Sequence, residues 1–386
     1  MTTLTAPRLL SRPLLLVSAV DILGLAAFYL LLPVVPAAVA ATGAGGVAAG
    51  LTTGVLMAST VAAELALPRV VARFGYRAVI AAGLLLLGLP ALGLTATAGY
   101  PAVLAGCALR GLGVATIFVA CGAWSAQLVP PARRGEGLGL VGVLAGAPAV
   151  VGMPAGLWLA AHAGYPAVYA TGATLALAGL LILPLLPGAD GRAPHDRTTT
   201  DGMHHALREP ALTRPAVVFG AAATLAGIVA TFLPAALPHA APTVIAAALL
   251  LQALAGTVTR WWAGRVGDRH GPHRLLTPAM LTTATGLAAL AVTTHPATVL
   301  AAAVTFGAGF GALQTASLAV MLASAPPSRY SSITALWSVA YDAGLGLGAA
   351  GFGLLATTTG YPTGLALTAT LATLTLLTLR AGPPAG

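Results

Sequence analysis

The sequence predicts an all-α integral membrane protein built as two pseudo-symmetric six-helix bundles. Three observations carry this. Only 7% of the 386 residues are charged and 58% are hydrophobic, against roughly 25% charged in a soluble domain. Apolar runs of about 20 residues recur along the chain, each long enough to cross a hydrocarbon core of ~30 Å as a helix. Gly164-Tyr165-Pro166 returns as Gly360-Tyr361-Pro362, a shift of 196 residues that other positions share. The runs are rich in Leu, Ala, Gly and Thr and do not alternate strictly, which points to helices rather than a β-barrel.

Twelve spans follow, at about 13–33, 44–67, 78–97, 101–127, 136–160, 166–186, 216–236, 242–262, 275–294, 297–323, 331–356 and 361–379. With the N-terminus inside, seventeen of the 18 arginines fall at the N-terminus, in inner loops or at the C-terminus, and none in an outer loop. That is the positive-inside pattern, so both termini are expected in the cytoplasm of a cell whose inner (plasma) membrane holds the protein as a multi-pass chain. The net charge of +9 is spread over short loops and does not indicate nucleic acid. The first span, preceded by Arg8 and Arg12, imitates a signal peptide, but the many later spans favour an uncleaved helix.

The one long polar segment, 188–215, reads as a cytoplasmic linker between an N-terminal bundle (1–187) and a C-terminal bundle (216–386). His195, His204 and His205 lie in it without metal-ligand spacing, so no metal or other cofactor is expected. Cys107 and Cys121 are 14 residues apart on one predicted helix, roughly 21 Å, too far to bridge each other. The same 196-residue shift carries Arg69, Arg73 and Gly75 onto Arg265, Arg269 and Gly271, Gly111 and Gly113 onto Gly307 and Gly309, Arg133 onto Arg329, and Gly152 onto Gly348. Duplicated bundles flanking a midplane site are a transporter architecture.

Four ionisable residues fall within spans, where a charge costs at least ~2.5–3.5 kcal/mol. Asp342 lies about 19 Å beyond the inner surface, beside the small-residue pair Gly344 and Gly348. A carboxyl group at that depth is cheaper to bury neutral than charged, which suits a proton carrier; a structural hydrogen bond is the equal alternative. Asp21, on the first helix, is a second candidate for proton or cargo. Arg110 sits at a similar depth to Asp342 and either neutralises a carboxylate or bonds to backbone carbonyls. Glu64, near the inner end of the second span and close in depth to Arg69, reads first as a boundary ion pair and second as a proton-coupling or substrate residue. Candidate cavity-lining groups are Phe28, Tyr29, Phe118, Trp124, Gln252, Phe306, Phe310, Gln314, Trp337 and Tyr341.

The stretch GRVGDRHGPHR, residues 264–274, carries Gly264, Asp268, Arg269, Gly271 and Arg274 in the spacing G-x-x-x-D-R-x-G-x-x-R. It resembles the loop signature of the major facilitator superfamily. The first-half copy keeps Arg73, Gly75 and Arg77, while Pro68 and Ala72 replace the glycine and the aspartate. LRGLG at 109–113 resembles a shortened fourth-helix arginine motif, and GLVGVLAGAPAVVGMPAG at 139–156 a degraded antiporter motif. The resemblance implies the fold of that superfamily and a loop that latches one bundle to the other. The second-half loop would reach Glu136 through Arg265 or Arg269; the first-half loop would reach Ser331 and Ser332, where no acid waits, so the latch is expected to depend on Asp268 and not on Ala72.

Together these features predict a secondary transporter working by alternating access, a proton-coupled antiporter that exports small lipophilic drugs or secondary metabolites, of the multidrug-efflux and antibiotic-resistance kind. The alternative is a proton-linked importer of a small nutrient; a non-transporting scaffold is the third reading. Small-molecule cargo, protons and the lipid bilayer are the expected partners, and the functional unit is expected to be a monomer. Nothing in the chain matches H-E-x-x-H or G-x-S-x-G, and an enzyme is not expected.

Overall fold

The computed structural model describes residues 11–96, 99–130, 134–186, 206–292, 295–326 and 329–380. His195, His204 and most of the expected linker lie outside them. Among the described residues nine helical runs are long and apolar enough to cross a membrane. Three of these runs contain a single residue of non-helical backbone, Gly75, Gly164 or Gly360, and each marks a reversal between two spans. Twelve spans result: α1 (Arg12–Leu31, continued by Val34–Ala41), α2 (45–74), α3 (76–93), α4 (Tyr100–Leu128), α5 (134–163), α6 (165–182), α7 (Pro210–Ala236), α8 (Pro242–His270), α9 (His273–Val292), α10 (Pro296–Ala323), α11 (330–359) and α12 (361–374).

The turns are tighter than the sequence suggested. Charges expected in a loop ride instead on the last two turns of α8, which runs on to His270, and Gly271 with φ 87° makes the turn. Its partner in the duplication, Gly75, has φ 76°; at the opposite face Gly164 and Gly360 have φ 80° and 73°. Only glycine takes this left-handed backbone without a cost of roughly 1–2 kcal/mol. Helix α7 begins at Pro210, six residues before the expected 216, because proline at the first helical position needs no N–H partner.

The duplication is visible in the packing. A Cβ on Gly111 of α4 would strike the Leu56 carbonyl of α2, and a Cβ on Gly307 of α10 would strike the Gln252 carbonyl of α8. Gly113 lies against Gly83 and Leu87, Gly309 against Ala279 and Thr283. Every one of these pairs is related by the shift of 196. Gly344 and Gly348 press α11 onto Gly220 and Thr224 of α7, as their spacing predicted.

Between the bundles, α2 and α11 meet along small residues. Gly46 approaches Gly353, Gly50 approaches Ala349, and Gly54 approaches Ala350, where an added Cβ would sit 2.9 Å from the alanine methyl. Thr231 of α7 donates to Thr53 of α2 at 3.1 Å, also across the bundles. All these contacts lie in the half of the molecule remote from the arginine-rich face. That half is sealed, and the opposite half of the interface is where space remains. Gly50→Leu should force α2 off α11, at about 1–3 kcal/mol for overpacking. Spin labels at the remote ends of the two helices should then report a longer distance; an unchanged distribution would mean that the seam tolerates the side chain.

Candidate functional site

Between the bundles lies a cavity of about 360 Å³, within the range of small-molecule sites. Its lining comes from α1, α2, α4, α5, α7, α8, α10 and α11, from mid-depth toward the arginine-rich face. With the remote half closed by the α2–α11 seam, the protein is open toward the face that bears the arginines.

More than half of the lining follows the duplication. Thr60, Glu64, Val114, Phe118, Gly142, Ala145, Gly146 and Ala149 of the first bundle all line the cavity, and so do their counterparts Gly256, Arg260, Phe310, Gln314, Ser338, Tyr341, Asp342 and Leu345. The backbone frame is shared, but the chemistry is not. The first half mostly presents small or apolar groups, whereas the second presents two aromatics, a carboxamide, a hydroxyl, a carboxyl and a guanidinium.

Asp342 of α11 faces Glu64 of α2, side chain to side chain within hydrogen-bonding reach. These two acids come from opposite bundles. Glu64 was expected beside Arg69 at the membrane boundary. Instead, Arg69 is exposed and Glu64 turns inward, its Oε2 buried with no partner. Two carboxyls at such range share a proton more readily than they both ionise. Arg260, assigned from sequence to an inner loop, projects into the same cavity from the longer α8. It lies within electrostatic reach of Tyr29 and Tyr341, and both tyrosines also sense Asp342. The signal for Arg260 was available, because the 196-residue shift places it on Glu64.

Of the expected lining residues, Phe28, Tyr29, Phe118, Gln252, Phe310, Gln314, Trp337 and Tyr341 do face the cavity. Trp124 does not: it is buried in the first bundle, stacked on Tyr76 at 5.7 Å. Phe306 is also fully buried, stacked on Phe310. A long apolar helix buries aromatics on several faces, and the sequence does not say which face meets the other bundle.

Asp21 and Arg110 are likewise away from the cavity. Asp21 is 6% exposed, packed within the first bundle near Cys121, and its Oδ1 has no hydrogen-bond partner. Arg110 is 1% exposed, and none of its three side-chain nitrogens has a partner among the described residues. Its polar neighbours are Cys107 and Tyr169, not a carboxylate. Cys121 marks the level of Asp21 on α4, eleven residues from Arg110 or roughly 16 Å along the axis, so neither bears on the other. Cys107 and Cys121 are free and buried.

At the arginine-rich face the expected latch is open. Asp268 is exposed and has no ion-pair partner among the described residues, and Arg265 stacks over the Trp261 ring at 3.4 Å. Arg73 lies over Phe74 at 5.3 Å. The side chains of Glu136 and Ser331 lie outside the described residues. Ser332 does not cap α11; its hydroxyl donates back to the Arg329 carbonyl at 2.9 Å. Arg329 donates to Glu209 at 2.8 Å, tying α11 to the start of α7 within one bundle.

Duplicated helical bundles around a mid-depth cavity are the architecture of many membrane transporters. The sequence profile described as Major Facilitator Superfamily matches residues 17–239 and again 216–386. The chain belongs to that superfamily. Solved structures of similar fold include a nucleoside transporter, NupG (TM-score 0.78, 11% identity, 96% of this chain and 99% of that one). A bacterial homolog of the human lysosomal transporter Spinster, in an inward-facing and occupied conformation, is similar at TM-score 0.76 and 14% identity over 97% and 100%. A POT family transporter in complex with a thioalcohol-conjugated peptide is similar at 0.78 and 11% over 96% of each chain. No curated protein matches at the level of sequence.

Arg110→Met keeps the volume and removes an unpaired buried cation, so the fold should be unharmed or stabilised, in the direction seen when buried ions give way to apolar groups (about 1–4 kcal/mol). The thermal midpoint in detergent should hold or rise; a fall of many degrees would reveal a stabilising role for the guanidinium.

Proposed function

We propose that this protein is a proton-coupled antiporter that exports small lipophilic molecules from the cytoplasm, with Glu64 and Asp342 as the proton site. The observation that carries this reading is the meeting of two carboxyls from opposite bundles inside the cargo cavity. Alternating access moves the bundles relative to each other, so a contact between Glu64 on α2 and Asp342 on α11 must change with conformation. One proton between the two acids makes the contact favourable. Without it, two carboxylates about 4 Å apart repel by about 4 kcal/mol at an effective dielectric of 20. Proton occupancy therefore biases which state the bundles adopt.

The cycle follows from that bias. The cytoplasm-open protein releases its proton and takes cargo, while Arg260 is the nearest cation to compensate the bared carboxylates. Reorientation exposes the acids outside, where a proton returns and cargo leaves. Each charge carried across a 100 mV potential supplies ~2.3 kcal/mol. The latch at Asp268 holds the cytoplasmic side when it closes. The termini and the arginines then face the cytoplasm, as the positive-inside pattern requires.

In inverted vesicles with an acidified lumen, cargo should accumulate, and Asp342→Asn and Glu64→Gln should each abolish accumulation while equilibrium binding survives. Gradient-driven flux at the unaltered rate in both variants would remove the acids from coupling; uptake in the opposite sense would make the protein a proton-linked importer. Asp268→Asn should slow transport severalfold without changing binding, since it touches the latch and not the cavity. Transport at the wild-type rate would end the latch assignment.

A further inference from the structure

The cavity's second-half wall has a defined shape and chemistry. Trp337, Tyr341 and Phe310 line it, and all three stack on Phe219, which is fully buried behind them. Their planes lie within 8°, 12° and 23° of the Phe219 plane. Trp337 is further fixed by donating from Nε1 to Ser317 at 3.0 Å. Phe310 and Tyr341 are tilted by 33° to each other, so the rings form a creased wall backed by a residue that does not line the cavity. The opposing wall offers Phe118, the duplication partner of Gln314.

Two carboxamides flank this wall. Gln252 and Gln314 both line the cavity, and the Oε1 of each has no hydrogen-bond partner among the described residues. Gln252 is level with Gly307, whose missing side chain lets α10 touch the Gln252 carbonyl. Gln314 lies seven residues further along α10, so the two amides are about 10 Å apart along the helix axis. An unpaired buried polar atom costs about 1–3 kcal/mol, and rotation of each amide would bring its oxygen onto the cavity, where a donor on the cargo satisfies it. In the first half the corresponding positions are Leu56 and Phe118, so the polarity belongs to the second half alone.

We infer that the cargo is a planar, polycyclic aromatic molecule with a hydrogen-bonding group at each end of its long axis, laid against Trp337, Tyr341 and Phe310 and held by Gln252 and Gln314. This rests on the transporter reading of the cavity and narrows its substrate class. A carboxamide turns either its carbonyl or its NH₂ toward a ligand, so amine, hydroxyl and lactam ends all fit.

The test is equilibrium binding in detergent at fixed pH, which needs no gradient and so is independent of whether transport is proton-coupled. The probes are 2,6-diaminoanthraquinone and its tetramethylated analogue, which keeps the ring system but has no N–H to donate. The diamine should bind roughly tenfold or more tightly, since each neutral hydrogen bond is worth about 0.5–1.5 kcal/mol. Gln252→Leu combined with Gln314→Leu should erase that preference. Phe219→Leu should weaken both probes alike by loosening the wall. Equal binding of the two probes by the unaltered protein, no binding of either, or a preference that survives in the double variant would overturn the assignment.

Discussion

The structure depends on close backbone approach between helices at glycine. In lipid there is no hydrophobic drive to bring two helices together, and association rests on packing. Here the packing is set by glycines that let a neighbouring carbonyl fit where a side chain would otherwise stand. Gly111 on Leu56 and Gly307 on Gln252 fix how α4 meets α2 and how α10 meets α8. The same device joins the bundles, where Gly46, Gly50 and Gly54 of α2 run along α11. Because that last seam covers only the remote half, the cavity is left open at the other.

A duplicated frame then allowed the two halves to diverge in chemistry without diverging in shape. Many positions lining the cavity correspond across the repeat, yet Tyr341 and Asp342 stand where the first half has Ala145 and Gly146, and Arg260 stands where it has Glu64. Small residues on the first wall leave room for larger ones on the second. Recognition groups are thereby concentrated on one bundle, and one of the two acids, Glu64, reaches across from the other. A ligand or a proton in the cavity touches both rigid bodies at once, which is the condition for coupling its occupancy to their relative position.

Arg110 and Asp21 illustrate a different use of buried charge. Neither opens onto the cavity, and neither has a hydrogen-bond partner for its most buried atoms among the described residues. Depth in the membrane marked them as unusual in the sequence. Depth does not distinguish a residue facing the interface between bundles from one facing the interior of a bundle, and these two face the interior.

The sequence by itself determined the spans, the duplication and the turns. Each of these is a property of a single segment: apolar length decides a crossing, glycine decides where the backbone can reverse, and a constant offset exposes the repeat. It also identified most of the cavity aromatics, since polar or aromatic residues on an apolar helix are few enough to name. Only the tertiary structure decided which of them share a surface. Trp124 and Phe306 read like Trp337 and Phe310 in sequence but turn into a bundle. Glu64 read as a boundary acid because Arg69 is its neighbour along the chain. Its true companion, Asp342, comes from the other bundle, and Arg260 joins them from the cavity-facing side of α8. Those meetings depend on the rotation of each helix about its own axis and on the docking of one bundle against the other, and no local pattern encodes either.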